Sequence, residues 1–522
     1  MEAASWRTAF VRLREEKQSI ESLVQDLLLF SESPKLNISV GEVTSDVTFL
    51  LELLLKSVSP EEDGAHTCLH TLHLIHRFSQ SLEFNSSSCP IVLDFLQHVL
   101  QCLSTTSNNN IQLQAVIQIL DLLRNRYGTN YNNQLLHLLV HVVAIISNVP
   151  SSTLNNTIHL WDYQTIAFNM IADTVSTIGS SLSPQSWHST LEVLRKVMDA
   201  MVSKTLLVQD SVMSRFYTSL LHCLHLLLSD PKGSLSEHVA GFVAALRMFF
   251  VYGLTNRSPL AGPDTSHKEE FSYQGRKSIL AESTRPERGA YRPPHLRKRE
   301  GKSMPRLKAS NSQSLSDNEP YALGFTSSDS EHSDSDGFAK DVDNFRSSKT
   351  RLAAIICIQD LCQIDLKAVT AHLTMLLPTS DVLQPRKYEA TLMTCLLFDP
   401  VVKARMASAS TLAAMLSGPS PVFLQVAEYK ESTKRGSFTA LSSSLGQILM
   451  QLHTGILYLL QRESHNGLLA TLFKVLMLLI SATPYARMPE ELLPSVISTL
   501  RSKMIDGFPS RTDQAGLLVS CM

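Results

Sequence analysis

Four histidines at three- and four-residue spacing are the first pattern in this chain that could do chemistry. His66, His70, His73 and His76 fall in one segment, HTCLHTLHLIH. On a helix the first three share an arc of about 60°, close enough to chelate a metal ion. The same helix carries Cys68, Leu72, Ile75, Phe78 and Leu82 on its other side, so the histidines are expected on a solvated face. No carboxylate or cysteine completes a closed ligand set on that face. His137 and His141 repeat the four-residue spacing and read the same way. No metal ligand is assigned, and no cofactor is expected.

Other reactive arrangements are missing. The chain contains no HExxH, no G-x-S-x-G, no glycine-rich phosphate loop and no dinucleotide fingerprint. No catalytic residue is assigned and the chain is read as a non-enzyme. Of the eight cysteines none forms a C-x-x-C pair, and most sit in apolar helical patterns, as Cys223 does in LLHCLHLLL. Such thiols fit a buried, reduced state in an intracellular protein. The N-terminal MEAASWRTAFVRLREEK has no signal-peptide core. The most apolar stretch, Leu468 to Ile480, falls short of a span of about 20 residues and contains Lys474. An intracellular soluble protein of the cytoplasm or nucleus is expected, with no membrane span.

Residues 256–347 carry a different kind of chemistry. Positions 276–308 hold eleven Lys/Arg against three acids, and positions 317–343 hold eight acids against one Lys. Apolar content is too thin to offset chain entropy, so a disordered linker is expected, basic and then acidic and serine-rich. In the basic half, Arg297, Lys298 and Arg299 could serve nuclear import or touch RNA, with Tyr291 as a stacking ring. Tyr291 and Leu296 also resemble the short motif by which translation regulators dock on the cap-binding initiation factor. Arg297 departs from it, standing where that motif carries a hydrophobic residue. A plain solubilising linker accounts for the same composition. In the acidic half, Ser314, Ser316, Ser328 and Ser333 each have an acid three residues later, the pattern of acid-directed kinases. A net charge of −2 argues against global steering toward nucleic acid, so a protein partner is expected instead.

The elements that would position any such site are helices. Apolar residues recur at helical spacing in 43–58, 90–103, 109–127 and 236–250, with short Ser, Asn, Pro and Gly clusters between. Strand-like alternation is missing. Glycine is scarce, at 20 of 522 residues, against an average of about 7%. Helical patterning fills 1–255 and resumes over 348–522, ending on DQAGLLVSCM with Leu517, Leu518 and Val519 unpaired by a later helix. Solenoids carry polar terminal caps, so a longer natural chain is expected to continue there.

The sharpest local signal is LLFDPVVKARMASASTLAAMLSG, 396–418. Asp399 and Pro400 end one helix and begin the next, with Pro suited to a first helical position. Val402, Arg405, Ala409, Leu412 and Leu416 fall on one face of the next helix. A charge on that stripe requires a partner, and Asp399 is the nearest candidate across the turn. The arrangement resembles the HEAT repeat: an Asp-Pro turn, an Arg five residues after the Pro, then small residues and Leu. Ala404 departs from it, where the family usually has Val. A weaker echo at LLLSDPKG, 226–233, has no matching Arg.

Residues 349–487 further resemble the uncharacterised domain of the HEAT repeat-containing protein 6 family. The likeness rests on KTRLAAIICIQDLC, the LLFDP turn, VFLQVAEYKES, SFTALSSSLGQILMQLHTGILYLLQ and LFKVLMLLISATPYARM, in that order. It implies a helical fold and a scaffold role, with no catalytic residues to carry over. Together these readings predict an all-α, HEAT/armadillo-like α-solenoid in two helical blocks. Its expected role is a protein-interaction scaffold; an adaptor contacting RNA or an import receptor through 276–308 is the alternative.

Overall fold

The computed structural model describes residues 4–254 and 339–507, apart from 17–18, 33–35, 38–39, 58–61, 80–81, 83–87, 105–108, 127–131, 149–156, 204–206, 386, 419 and 430–440. Among the described residues, eleven α-helices precede the long linker: α1 (Trp6–Glu16), α2 (Ile20–Ser31), α3 (Val40–Ser57), α4 (Glu62–Arg77), α5 (Ser88–Ser104), α6 (Asn109–Arg126), α7 (Asn133–Asn148), α8 (Thr157–Ile178), α9 (Pro184–Ser203), α10 (Ser211–Ser229) and α11 (Ser236–Leu246). A 3-10 turn over Arg247–Val251 follows. After the linker come α12 (Ala339–Ile364), α13 (Leu366–Thr370), α14 (Leu373–Leu376), α15 (Leu392–Phe398), α16 (Val402–Leu416), α17 (Ser420–Leu424), α18 (Leu441–Arg462), α19 (Asn466–Ala482) and α20 (Leu492–Asp506). Two residues at each of β1 (Ala4–Ser5) and β2 (Leu36–Asn37) pair in parallel.

Each helix through α10 packs on the helix two places further on: α1 on α3, α2 on α4, and so to α8 on α10 and α10 on α12. That alternation makes an α-solenoid of HEAT/armadillo type, in which one repeat buries the apolar face of the next. Side-chain bonds between these helices keep time with it. Arg7 reaches Asp46, Gln134 reaches Asp94, Gln97 reaches His141 and Gln118 reaches His73. Arg195 Nη1 donates to His238 Nδ1 at 2.9 Å. These partners stand 39 to 45 positions apart, close to the length of a two-helix repeat of about 40–47 residues.

The helices begin where the sequence supplies caps. Asp210 accepts from the Met213 amide at 2.7 Å to start α10, and Thr391 accepts from the Thr394 amide at 3.3 Å to start α15. Such bonds satisfy amides that have no partner inside the helix. Within the later block, α16 is enclosed by α12, α15 and α19. Its small residues Ala404, Ala407, Ser408 and Ala409 are all buried, which lets those helices approach closely.

Two boundaries differ from the sequence reading. The helix after the linker starts at Ala339, nine residues before the expected 348. Composition alone counted residues 339–347 as linker. Pro400 also lies outside α16, which begins at Val402 with Val401 as its N-cap. The two helical blocks, separate along the chain, fall within one compact unit comprising Met1–Leu260 and Ser333–Met522.

Candidate functional site

The most elaborate polar arrangement lies where the two blocks meet, between α10, the 3-10 turn, α12 and the α15–α16 corner. Arg351 on α12 and Asp399 at the end of α15 are both buried, with side chains 1% and 0% exposed. Arg351 Nε donates to Asp399 Oδ2 at 2.6 Å, and Nη1 donates to the Tyr252 carbonyl at 2.6 Å. Arg351 Nη2 donates to Ser348 Oγ, which in turn donates to Asp399 Oδ1 at 3.2 Å. The Val401 amide adds a bond to Asp399 Oδ1 at 2.9 Å. Removing both ions from water costs several kcal/mol each unless geometry and further hydrogen bonds compensate. Here each nitrogen of the guanidinium and each oxygen of the carboxylate is used.

Around this pair further bonds stitch the two blocks together. Thr350 Oγ1 donates to the Ser214 carbonyl at 3.3 Å and meets Thr218 Oγ1 at 3.1 Å. His225 Nδ1 meets Asp360 Oδ2 at 2.7 Å. Cys357 Sγ donates to the Leu221 carbonyl and Cys395 Sγ to the Phe250 carbonyl. Burial pushes both thiols up, so they act as buried donors rather than nucleophiles. Gly253 takes a left-handed φ of +69°, and a Cβ there would stand 2.5 Å from Ser347. A side chain at 253 would wedge the blocks apart.

The expected Asp399–Arg405 pair does not form. Arg405 turns the other way: Nε donates to the Leu396 carbonyl at 3.0 Å and Nη2 donates to Glu463 Oε2 at 2.5 Å. Asp399 is drawn into the junction by the Val401 amide and Arg351, so the sequence neighbour is not the spatial one. The Asp399, Pro400 and Arg405 motif therefore supports the fold through two ion pairs, one reaching α12 and the other the loop between α18 and α19. Burial alone would raise Glu463, but the amide of His465 and the Arg405 charge outweigh it and hold the carboxyl low. The echo at Asp230 pairs locally with Lys232 at 2.7 Å.

The helix bearing His66, His70, His73 and His76 presents the first and third to solvent, as its apolar stripe implied, with His70 and His76 half-buried. The more instructive histidine is His453 on α18, wholly buried. Its Nδ1 lies 2.8 Å from the Leu449 carbonyl and Nε2 lies 3.2 Å from Tyr485 Oη. A neutral ring that donates from Nδ1 and accepts at Nε2 satisfies both, and burial lowers its pKa accordingly. The candidates Ser314, Ser316, Ser328, Ser333, Tyr291, Leu296, Arg297, Lys298 and Arg299 lie outside the described residues.

On α20, Leu493, Ile497 and Met504 are exposed, at 40%, 58% and 36%. They fall within about 40° of one another at 100° per residue, beside the buried face made by Leu492, Val496, Thr499 and Lys503. Sequence reading missed this stripe because helical spacing does not tell a core-facing apolar row from a second, outward one. Among the described residues no helix is long and apolar enough to cross a membrane.

Residues 349–522 match the family model described as a domain of unknown function, DUF4042. The match opens two residues before Arg351 and takes in Asp399, Arg405 and Glu463, while Ser214 and Tyr252 lie outside it. Two solved structures show some likeness over 99% of this chain, each at 9% identity. The crystal structure of SYS-1 is covered over 95% of its length, with a TM-score of 0.24. That of Kap121p is covered over 56%, with a TM-score of 0.15. Scores this low fall well short of a common superposition, and nothing about binding passes from either protein to this chain.

Proposed function

We propose that this chain is a non-enzymatic protein-interaction scaffold, with its solenoid surface as the docking face. One observation carries the reading: the stack continues from α10 into α12 through a buried, fully bonded junction. Repeats before and after the linker thus present one extended surface, the usual working part of a helical solenoid. The α20 stripe of Leu493, Ile497 and Met504 gives that surface an apolar patch for a protein partner. On the motifs of 349–487, the later block is placed in this reading with the HEAT repeat-containing protein 6 family. An intracellular setting, and phosphorylation at Ser314, Ser316, Ser328 or Ser333, belong to the same reading.

The test is proximity labelling in cells with the full chain and with a Leu493→Glu/Ile497→Glu variant. The scaffold reading expects a defined set of proteins that the variant loses while its melting temperature holds. An unchanged set would remove the stripe from the docking face. A second reading, an adaptor contacting RNA or an import receptor, draws on the excess of Lys and Arg over 276–308. Capture of RNA that declines steeply with salt would favour it, since phosphate contacts release counterions.

A further inference from the structure

We propose that Cys68, His98 and Cys102 form a zinc site that clamps α4 to α5. His98 and Cys102 stand four residues apart on α5 and so share one face of that helix. Cys68 meets them from α4, which packs against α5. Two thiol sulfurs and one imidazole nitrogen lie within 4.8 Å of one another. Zinc bonds of about 2.3 Å to sulfur and 2.0–2.1 Å to nitrogen would bring ligand atoms to roughly 3.5–4 Å apart. Small rotamer adjustments cover that difference.

A histidine nitrogen left without a partner marks this cluster out. Both cysteines are closed to solvent, and His98 Nε2 is buried with no hydrogen-bond partner. An orphaned buried nitrogen is costly and is the group a metal would satisfy. Cys223, Cys357 and Cys395 each donate to a main-chain carbonyl of a neighbouring element. Cys68 and Cys102 also face each other across the helix pair, as two ligands of one ion would.

The donor set selects the ion. Soft thiolates and imidazole suit zinc and cuprous ions. Two thiolates and a neutral imidazole around a divalent ion sum to zero charge, which an apolar interior favours; a monovalent ion would leave a net negative charge. On binding, two S–H bonds break, two S–Zn bonds and one N–Zn bond form, and two protons pass to solvent, with no change in oxidation state. Three protein ligands leave a fourth position for water or an external donor. The exposed His66 and His73 on α4 supply no sulfur and are a separate feature.

The full chain, reduced and stripped with a chelator, should bind one equivalent of Co(II) with a sulfur-to-metal charge-transfer band in the near ultraviolet. Zn(II) should bleach that band and raise the melting temperature, as a ligand of the native state does. Cys102→Ser or His98→Asn should weaken binding at least about tenfold, and Cys362→Ser or His66→Ala should leave it intact. Cuprous ion that binds while Zn(II) fails to displace Co(II) would overturn the choice of zinc. Absence of the charge-transfer band in reduced protein would overturn the site itself, as would an intramolecular Cys68–Cys102 disulfide that returns after each reduction. Should a cysteine variant fail to fold, alkylation of the native chain decides. Zn(II) must slow modification of Cys68 and Cys102 without slowing that of Cys362.

Discussion

The stack of α1 to α9 and the junction between α10 and α12 solve one packing problem by different means. In the stack, successive repeats are near neighbours in sequence. Neutral bonds such as Gln118 to His73 and Gln97 to His141, and the Arg7–Asp46 pair with its arginine half exposed, join positions one repeat apart. At the junction, Tyr252 and Arg351 touch although 99 positions separate them. A short loop limits where the next helix can land; a long linker does not. Register must then come from the contact itself, and the junction buries both members of an ion pair: Arg351 against Asp399, held by Ser348, Tyr252 and Val401. Burying an ion pair is a poor way to gain stability but a well-attested way to specify register. A misplaced α12 would leave two charges without partners.

The largest effect that sharpens this contrast is Arg351→Met. It leaves Asp399 buried without its cation, and breaking such a pair from one side costs about 3–5 kcal/mol. Chemical denaturation should show that loss. Adding Asp399→Leu to Arg351→Met should restore a good part of the stability, because the stranded charge is gone. Recovery of stability with a loosened junction, seen as faster amide exchange in α12, would confirm that the pair specifies register. A cost below about 1 kcal/mol for Arg351→Met would put the pair on a level with surface salt bridges and erase the contrast.

Much of this fold is legible in the sequence, for identifiable reasons. Periodicity marks the helices well: the segments read as 43–58 and 109–127 are Val40–Ser57 and Asn109–Arg126. The Asp-Pro corner and the small residues after it also announce a HEAT-like repeat. What periodicity cannot supply is the partner of a charge. Asp399 has a cation six residues away and another 48 residues away, and only packing decides for Arg351. The thiol–imidazole cluster was hidden differently. Cys68 reads as one more apolar residue of its stripe, and the histidines beside it draw the eye to the wrong face. The four-residue spacing of His98 and Cys102 was the available signal.

A middle-sized effect belongs to Arg405, whose pair with Glu463 is partly open, with side chains 18% and 9% exposed. Arg405→Ala removes a charge-assisted bond and should cost about 1–3 kcal/mol, less than Arg351→Met. Its pH dependence has a definite sign. Glu463 sits below its ordinary value of 4.5 in the folded chain, so the unfolded chain takes up its proton first. The pair's contribution is therefore complete above about pH 4.5 and is lost as pH falls through the folded value. Denaturation midpoints measured from pH 7 down to pH 3 should fall more steeply for the native chain than for Arg405→Ala. Parallel curves would mean that Glu463 does not draw on Arg405.

The smallest effect is expected in the stack, at Gln97. Its Nε2 stands 3.1 Å from His141 Nδ1, while its Oε1 is buried with no partner. The residue thus gains one neutral bond, worth about 0.5–1.5 kcal/mol, and carries one unsatisfied acceptor of about equal and opposite weight. Gln97→Leu removes both at similar volume. The group left wanting is His141 Nδ1, in a ring that burial already keeps neutral by lowering its pKa. The variant should lie within about 0.5 kcal/mol of the native chain and show the same amide exchange in α5 and α7. A loss on the scale of Arg351→Met would show that the stack, too, depends on single polar contacts for its register. The distinction between short-loop repeats and the long-linker junction would then fail at its weakest point.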